Sequence, residues 1–277
     1  EREATVALCA IGRDTAPAPA APEVTPIDYP TRPISPREVV FPAIPAMHAA
    51  STLASGEEAT AWRADPLRRT PPEPQGRLIP LEPLAPEDLP DAPIEEIIFR
   101  RRSTRHYDTE VEISFTAFST LLDRSSRGFA ADCLAPGAPS LHDSYLIING
   151  VEGLAPGVYL HHRDRNAVEL LREGDFRAAA TRLAVNQGYA GAAHVNSYYL
   201  TDLDPVLERY GNRGYRLAQL ECSLYAGKLH LGTHTLGLGA VGSTSFDDEV
   251  VEFFSPHAAG KSYMFVTVFG KRRPRTR

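Results

Sequence analysis

The spacing of apolar residues changes repeatedly after residue 93 and predicts a mixture of helices and strands. Five apolar runs bounded by polar or turn residues predict strands: Asp143–Asn149, Gly157–His161, Ala167–Leu171, Val195–Thr201 and Ser262–Phe269. The second and third of these runs are separated by Arg163-Asp164-Arg165-Asn166, which predicts a hairpin.

Helical spacing predicts the segments between these strands. The expected helices are Ile94–Arg102, one that starts at Ser114, Asp175–Gln187, Tyr215–Leu236 and Asp247–Phe254. The helix at 215–236 has the clearest apolar stripe, formed by Leu217, Leu220, Leu224, Leu231 and Thr235. Ser245 and Asp248 fit a capping box for the final helix. The order of elements predicts an α+β domain over residues 94–277.

Proline divides the chain, because 18 of the 24 prolines lie between Pro17 and Pro93. Proline fixes φ and removes a backbone donor, so residues 14–93 are predicted to be an extended arm that links or wraps a neighbouring half. One helix, from Ala46 to Trp62, is expected to interrupt the arm. Residues 1–13 read as a strand similar to Ser262–Arg272. Either any two buried strands look alike in this way, or residues 1–13 are the tail of an upstream copy of the same domain.

Composition excludes several classes of protein. The chain is 43% apolar and 23% charged, as in ordinary globular domains, and its net charge of −6 argues against nucleic acid as the main partner. No apolar run approaches the roughly 20 residues of a membrane span. Three cysteines far apart in sequence favour reduced thiols in a cytoplasmic protein, and no motif predicts a metal site.

A dense cluster of cations, Arg100-Arg101-Arg102-Ser103-Thr104-Arg105, follows the first predicted helix. Guanidinium groups and hydroxyls together suit a phosphate, although a run of charges is more often a solvated surface. The tract Gly237-Leu-Gly239-Ala-Val-Gly242 matches the G-x-G-x-x-G pattern of a dinucleotide-binding loop. A long helix precedes the tract, however, where such a loop needs a strand. We therefore expect a helix end and a turn whose backbone N–H groups can approach a flat ligand.

Tyrosine and arginine alternate in the segment from Leu207 to Arg216. Neighbouring arginines can lower the pKa of a tyrosine, so Tyr210 is either an acid–base residue or a core aromatic. His230 and His234 are four residues apart on the predicted helix, and packing is the better interpretation because no further metal ligand lies at suitable spacing.

Taken together, residues 94–273 resemble the FMN-dependent nitroreductase superfamily and, within it, the SagB-type azoline dehydrogenases. Residues 101–105 are similar to the family's R-R-S-x-R signature, and residues 151–159 are similar to the branch's V-x-G-L-x-P-G-x-Y hairpin. Residues 236–248 match its G-L-G…F-D-D segment.

The resemblance implies the residues that contact FMN. These are Arg101, Arg102, Ser103, Arg105, Pro139, Ser140, Leu141, Gly242, Thr244, Ser245, Lys271 and Arg273. The loop at 139–141 would reach the flavin from a partner subunit. Arg209 and Tyr210 occupy the position of the branch's catalytic Lys-Tyr pair, and Lys228 occupies the position of an asparagine. Arginine cannot act as a base, so proton abstraction would fall to Tyr210 or to no residue.

The resemblance also implies fold and activity. We expect a mixed, mainly antiparallel sheet flanked by helices, with FMN at a two-fold interface of a homodimer or of two tandem domains. The expected activity is hydride transfer between FMN and a small or peptide-borne substrate, such as the oxidation of an azoline to an azole. The alternatives are reduction of nitro or quinone compounds by NAD(P)H, and a scaffold half without catalytic activity.

Overall fold

The computed structural model describes residues 30, 37, 39–128, 130–135, 137 and 139–273 of the 277-residue chain. The chain divides into two compact units, residues 1–41 and residues 42–277. In the first unit only residues 30, 37 and 39–41 are described, so the predicted strand at residues 1–13 lies outside the described residues. The helices and strands below all belong to the second unit.

The described helices are α1 (Ala43–Ala50), α2 (Gly56–Arg63), α3 (Ile94–Arg100), α4 (Phe115–Ser125), α5 (Arg177–Leu183), α6 (Gly188–Ala192), α7 (Leu203–Tyr210), α8 (Arg213–Thr235) and α9 (Asp247–Phe254). The described strands are β1 (Leu78–Pro80), β2 (His142–Ile148), β3 (Gly157–His162), β4 (Ala167–Glu173), β5 (Val195–Thr201), β6 (Gly239–Ser243) and β7 (Ser262–Gly270).

These strands form one sheet in the order β1-β4-β3-β2-β5-β7-β6, with antiparallel neighbours throughout. A parallel bridge joins Ser103 to Ala240 at the outer edge. Because successive side chains of a strand point to opposite faces, the sheet has two cores. One core packs against α4 and α8, and the other packs against α5, α6 and α9. The predicted α+β architecture is confirmed.

The five predicted strands are all present, and the turn at residues 163–166 is closed by Asn166 in the left-handed conformation. Three predicted helices are shorter than expected. The helix predicted at 94–102 ends at Arg100. Residues 46–62 form α1 and α2 instead of one helix, because the Ser55 hydroxyl accepts from Glu58 N–H and begins a new helix. The helix predicted at 175–187 ends at Leu183, and Val185 and Asn186 then take φ values of 55° and 58°.

The predicted turn after α8 is wrong beyond Gly237. Gly239–Ser243 forms the edge strand β6, because pairing with β7 overrides the low strand propensity of glycine. The predicted apolar stripe of α8 is wrong in part. Leu217 is buried as predicted, but Leu220 and Leu224 are 52% and 38% exposed. The other buried residues of the helix include Ala218, Cys222, Tyr225, Ala226 and Leu229.

The segment 62–84, called the arm segment below, packs on its own chain. The Trp62 indole N–H donates to the Tyr210 carbonyl, and Leu84 N–H donates to the Thr120 hydroxyl. Between them, β1 pairs with β4. These residues therefore cover one end of the sheet in the same chain.

Among the described helices, none is both long enough and apolar enough to cross a bilayer. Cys133 and Cys222 are unpaired, as predicted, and Cys9 lies outside the described residues.

Candidate functional site

The cationic segment 101–105, called the basic segment below, lies against the start of β6. Thr104 N–H donates to the Ala240 carbonyl at 2.9 Å. Further along, Asp108 N–H donates to the Lys271 carbonyl, and Arg273 N–H donates to the His106 carbonyl, both at 3.0 Å. The chain that follows the basic segment is thus bonded to the extension of β7, and predicted phosphate-binding residues from the two ends of the domain lie together.

A glycine makes this close approach feasible. A Cβ at Gly239 would overlap the Thr104 hydroxyl and the aliphatic carbons of Arg272. Any larger residue would push the basic segment away from β6. The third residue of the glycine-rich tract after α8 is therefore a glycine for a packing reason. The sequence alone suggested only that the glycines of this tract allow a ligand to approach.

The cations at this edge are exposed and uncompensated. Among the described residues, no carboxylate pairs with Arg101, Arg105, Lys271 or Arg273, and all four side chains are exposed. Arg102 differs, because its Nη1 donates to the carbonyls of Phe99 and Arg101 at 3.2 Å. Four of the five cationic residues predicted to contact FMN are therefore free to meet an anion.

Two histidines on the last turns of α8 support the basic segment from behind. The rings of His230 and His234 stack with centroids 5.5 Å apart, and His234 Nε2 donates to the Arg102 carbonyl at 3.1 Å. Burial lowers the pKa of both histidines, and the charge of Arg101 lowers it further. They are neutral packing residues, and they add no positive charge near neutral pH.

The far end of β6 offers donors instead of charges. The backbone N–H and C=O groups of successive residues in a strand point alternately to its two edges. The Ala240 carbonyl points outward to the basic segment. The N–H of Gly242, two residues further on, therefore points to the same outer edge. A Cβ at Gly242 would lie 2.7 Å from the Phe265 ring. Next to it Thr244 is exposed, which leaves the backbone here accessible to a flat ligand.

Ser245 does not cap α9 as predicted, since Phe246 occupies the cap position without a side-chain bond. Its hydroxyl is buried and makes no hydrogen bond of normal geometry to the described residues. The nearby Ser245 hydroxyl moderates the pKa of Tyr263, although burial raises that pKa well above its usual range. A buried hydroxyl without a clear partner is costly, which makes Ser245 a candidate ligand contact.

The loop 139–141 lies elsewhere in the same chain. It precedes β2, which β5 and β7 separate from β6, so it is roughly 14 Å or more from the β6 edge at ~4.8 Å per strand. Leu141 is buried, and its N–H donates to Glu221 Oε2 at 2.8 Å. Arg163 donates to the Ser140 hydroxyl at 2.7 Å. A single chain does not bring this loop to the basic segment, and the Leu141 side chain faces the interior.

Tyr210 and Arg209, the predicted catalytic pair, hold the arm segment. The Tyr210 hydroxyl accepts from Leu67 N–H at 2.9 Å and donates to the Cys133 carbonyl at 2.8 Å. Arg209 donates to the carbonyls of Asp65 and Trp62. Burial raises the pKa of Tyr210, and Arg209 only partly opposes this shift. The predicted lowering of this pKa is therefore wrong, because the arm segment covers the ring.

Lys228 lies far from that pair on the exposed side of α8, where its ammonium donates to the Gly128 carbonyl. Sequence reasoning missed a further group of titratable residues around the start of β2, namely His142, Asp143, His161, His162 and Glu221. The apolar appearance of the strands concealed it, because only the fold brings these polar ends together.

Comparisons with known proteins agree with this architecture. A profile described as the nitroreductase family matches residues 98–271. A nitroreductase-like protein of Methanocaldococcus jannaschii is 25% identical over 170 residues, which are 60% of this chain and 85% of that protein.

Two solved structures have a similar fold. A nitroreductase-like protein of Anabaena variabilis gives a TM-score of 0.61 at 24% identity, with 72% of this chain and 42% of that chain covered. This chain thus spans less than half the length of the Anabaena protein. The E. coli microcin synthetase McbBCD complex with truncated pro-MccB17 gives 0.53 at 16% identity, with 82% and 86% covered. Likeness at these identities shows the fold.

Proposed function

The chain belongs to the nitroreductase family, and on that premise we propose that it binds FMN along β6 and transfers hydride between this flavin and an organic substrate. Proteins of the family are oxidoreductases that generally bind FMN. The observation that carries the proposal is the junction of the basic segment with residues 271–273 at the start of β6.

The phosphate of FMN would lie at this junction. Arg101, Arg105, Lys271 and Arg273 supply cations without carboxylate partners among the described residues, and a dianionic phosphate is the ligand that such a group suits best. The Ser103 hydroxyl adds a neutral donor on the same segment. Bidentate guanidinium contacts would also fix the orientation of the phosphate.

The ring system would lie at the far end of β6. From Gly239 to Ser243 the strand extends about 14 Å at ~3.4 Å per residue, which suits a phosphate and ribityl chain followed by a ring. The Gly242 N–H and the Ser245 hydroxyl supply donors along the ring edge. FMN, when bound, supplies the two-electron hydride chemistry, and these donors would stabilise the negative charge of its reduced form.

A second copy of the chain, or a second domain of the same fold, would complete the site. Support comes from apolar side chains left exposed on α3 and α8, since Phe99 is 81% and Leu220 is 52% exposed. The rigidly held loop 139–141 is too far from β6 in one chain to meet the same flavin. Dimers are common in the family, and a two-fold partner would bring Pro139 and Ser140 to that flavin.

Reduction of nitro or quinone compounds by a nicotinamide donor is the better-supported reaction. Oxidation of an azoline needs a base, and the Tyr210 hydroxyl is committed to Leu67 and Cys133. Azoline oxidation is the second candidate, because the hairpin 151–159 that resembles the azoline dehydrogenases leads into β3 as expected. Four uncompensated cations argue against a scaffold half without a cofactor.

The test is an anaerobic turnover screen of the full-length, FMN-loaded protein. NAD(P)H with a quinone or nitroarene should give multiple turnovers, whereas a thiazoline peptide with the same quinone as electron acceptor should give few. Turnover of the peptide but not of NAD(P)H would favour the second candidate. A protein that remains colourless after incubation with FMN would contradict the proposal as a whole.

A further inference from the structure

A cavity of about 190 Å3 lies under the arm segment, beside the N-terminal end of β2 and away from the basic segment. We call it the arm cavity. Its lining includes Pro71, Ser140, His142, Asp143, His161 and Arg163. It is large enough for several waters or one small organic molecule.

Most charged groups of this wall are already paired within the protein. Asp143 accepts from Arg69 at 2.5 Å and from Lys261 at 2.6 Å. Although burial by itself raises the pKa of Asp143, these two cations lower it below its usual range. The His142 ring bonds to Glu221 and the His162 ring bonds to Glu169, both at 2.8 Å. The wall is therefore rigid without a ligand.

His161 is the exception. The residue is buried, with a relative exposure of 7%, and its Nε2 is a buried atom with no hydrogen-bond partner among the described residues. Its Nδ1 lies 3.3 Å from the Tyr225 hydroxyl. Burial lowers the pKa of His161 to about 3, and His162, His142 and Arg163 lower it in the same direction. A neutral ring that accepts from Tyr225 at Nδ1 carries its proton on Nε2, where it lacks an acceptor.

Arg163 adds a charge that no carboxylate compensates within the described chain. Its Nη1 donates to the Ser140 hydroxyl at 2.7 Å, which leaves its other N–H groups and the Ser140 proton available. The neighbouring Asp164 is 3.7 Å from Arg165 instead. Arg163 and His161 both line the arm cavity, and they are two residues apart at the end of β3.

We propose that the arm cavity binds a small monocarboxylate, with one carboxylate oxygen on His161 Nε2 and the other on Arg163. Pro71, Pro72 and Pro139 provide apolar surface for the body of the ligand. A carboxylate is favoured over a cation because the Arg163 guanidinium is a donor, as is His161 Nε2 in the tautomer that accepts at Nδ1, and because the buried carboxylate of the wall, Asp143, is already bonded to Arg69 and Lys261. A metal ion is disfavoured, since no three potential ligand residues converge anywhere in the described chain. Neither proposed donor belongs to the β6 edge, but Pro139 and Ser140 of this wall are the residues proposed to meet the flavin of a second copy, so the site is titrated in the flavin-free protein.

The proposal is tested by calorimetric titration of the full-length protein with benzoate and with benzamide, its neutral counterpart of the same shape. Benzoate should bind one per chain, and benzamide about tenfold or more weakly. Arg163→Gln should weaken benzoate by about tenfold and leave benzamide within about twofold. Arg165→Gln is the matched control, because Arg165 lies two residues away outside the cavity lining, and it should change neither affinity.

Equal affinity for benzoate and benzamide, or unchanged benzoate affinity in Arg163→Gln, would overturn the proposal. So would benzoate binding that Arg105→Gln weakens as much as Arg163→Gln does, because the ligand would then lie at the β6 edge. A measurement on the unmodified protein guards against a variant that fails to fold. Benzoate should shift the 15N resonance of His161 Nε2, assigned with His161→Gln, and an unshifted resonance at saturation would contradict the assignment.

Discussion

The two polar regions of this domain use charge in opposite ways. At the start of β6, exposed cations lack carboxylate partners within the described chain, whereas at the start of β2 buried charges are paired at 2.5–2.8 Å. Pairing of this kind satisfies groups that burial would otherwise penalise. The comparison indicates that the ion pairs at β2 stabilise the fold and that the cations at β6 are available to bind an anion.

The largest expected effect is the loss of Glu221, which accepts from both Leu141 N–H and the His142 ring. Glu221→Ala should reduce the free energy of unfolding by about 3–5 kcal/mol, because it removes the carboxylate acceptor of a buried imidazolium and of a buried backbone N–H. Denaturant unfolding measures this change. Glu252→Ala, at an exposed position of α9, is the control and should change stability by less than about 0.5 kcal/mol.

The same pair gives stability a pH dependence. Burial alone lowers the pKa of His142, but Cys222 and Glu221 outweigh it and raise this pKa to about 10. Because the folded value exceeds the unfolded value of ~6.5, the contribution is complete below pH ~6.5 and is lost as the pH rises toward 10. Stability that stays constant over this window in the wild type would show that His142 is neutral.

Asp143→Asn should have a smaller effect, about 2 kcal/mol, because the amide keeps one acceptor for Arg69 and Lys261 but loses the charge. The pKa of Asp143 is lowered in the folded protein, so its contribution is present above the unfolded value of ~3.9 and is lost as the pH falls below it. Thermal unfolding between pH 3 and pH 7 measures both results. A variant as stable as the wild type at pH 7 would argue that the ion pairs add nothing.

Tyr210→Phe distinguishes an anchoring residue from a catalytic one. The variant leaves Leu67 N–H without its acceptor, so the free energy of unfolding should fall by about 1–2 kcal/mol. Quinone reduction by the FMN-loaded enzyme should stay within about twofold of the wild type. Unchanged stability with a large loss of turnover would restore Tyr210 as a catalytic residue. Tyr215→Phe, at an exposed position, is the control.

The smallest effect is expected at the exposed ion pair between Arg165 and Glu73, whose side chains are 41% and 75% exposed. Arg165→Gln should change the free energy of unfolding by no more than about 0.5 kcal/mol. Chemical denaturation of this variant beside Asp143→Asn would sharpen the contrast between exposed and buried pairs. A loss above about 1 kcal/mol would show that exposure is a poor guide to the value of a pair here.

The strands were predictable where apolar runs end in turn residues, as at Gly157–His162 and Ser262–Gly270. β6 was not, because Gly239–Ser243 lacks strand-forming residues and becomes a strand only by pairing with β7. The family resemblance implied that the basic segment and Lys271 lie close together. No local sequence pattern could predict this, because the two are far apart along the chain.

The environment of Tyr210 could not be predicted from its neighbours. Adjacent arginines indicated a lowered pKa, but Leu67 and Trp62, more than 140 residues earlier in the chain, bury the ring and reverse the direction. The buried histidines at the end of β3 were equally hidden, because alternation along a strand says which face a side chain takes and not what covers that face.

Equilibrium titration of the flavin-free protein with FMN, followed by flavin fluorescence, tests the central claim about the β6 edge. Arg105 is exposed and without an ion-pair partner among the described residues, so Arg105→Gln should leave stability unchanged. It should raise the Kd for FMN by about 10–100-fold, as expected for the loss of one charge-assisted phosphate contact, while Arg165→Gln leaves it unchanged. Equal affinity in wild type and Arg105→Gln, or no FMN binding by the wild type, would contradict the account.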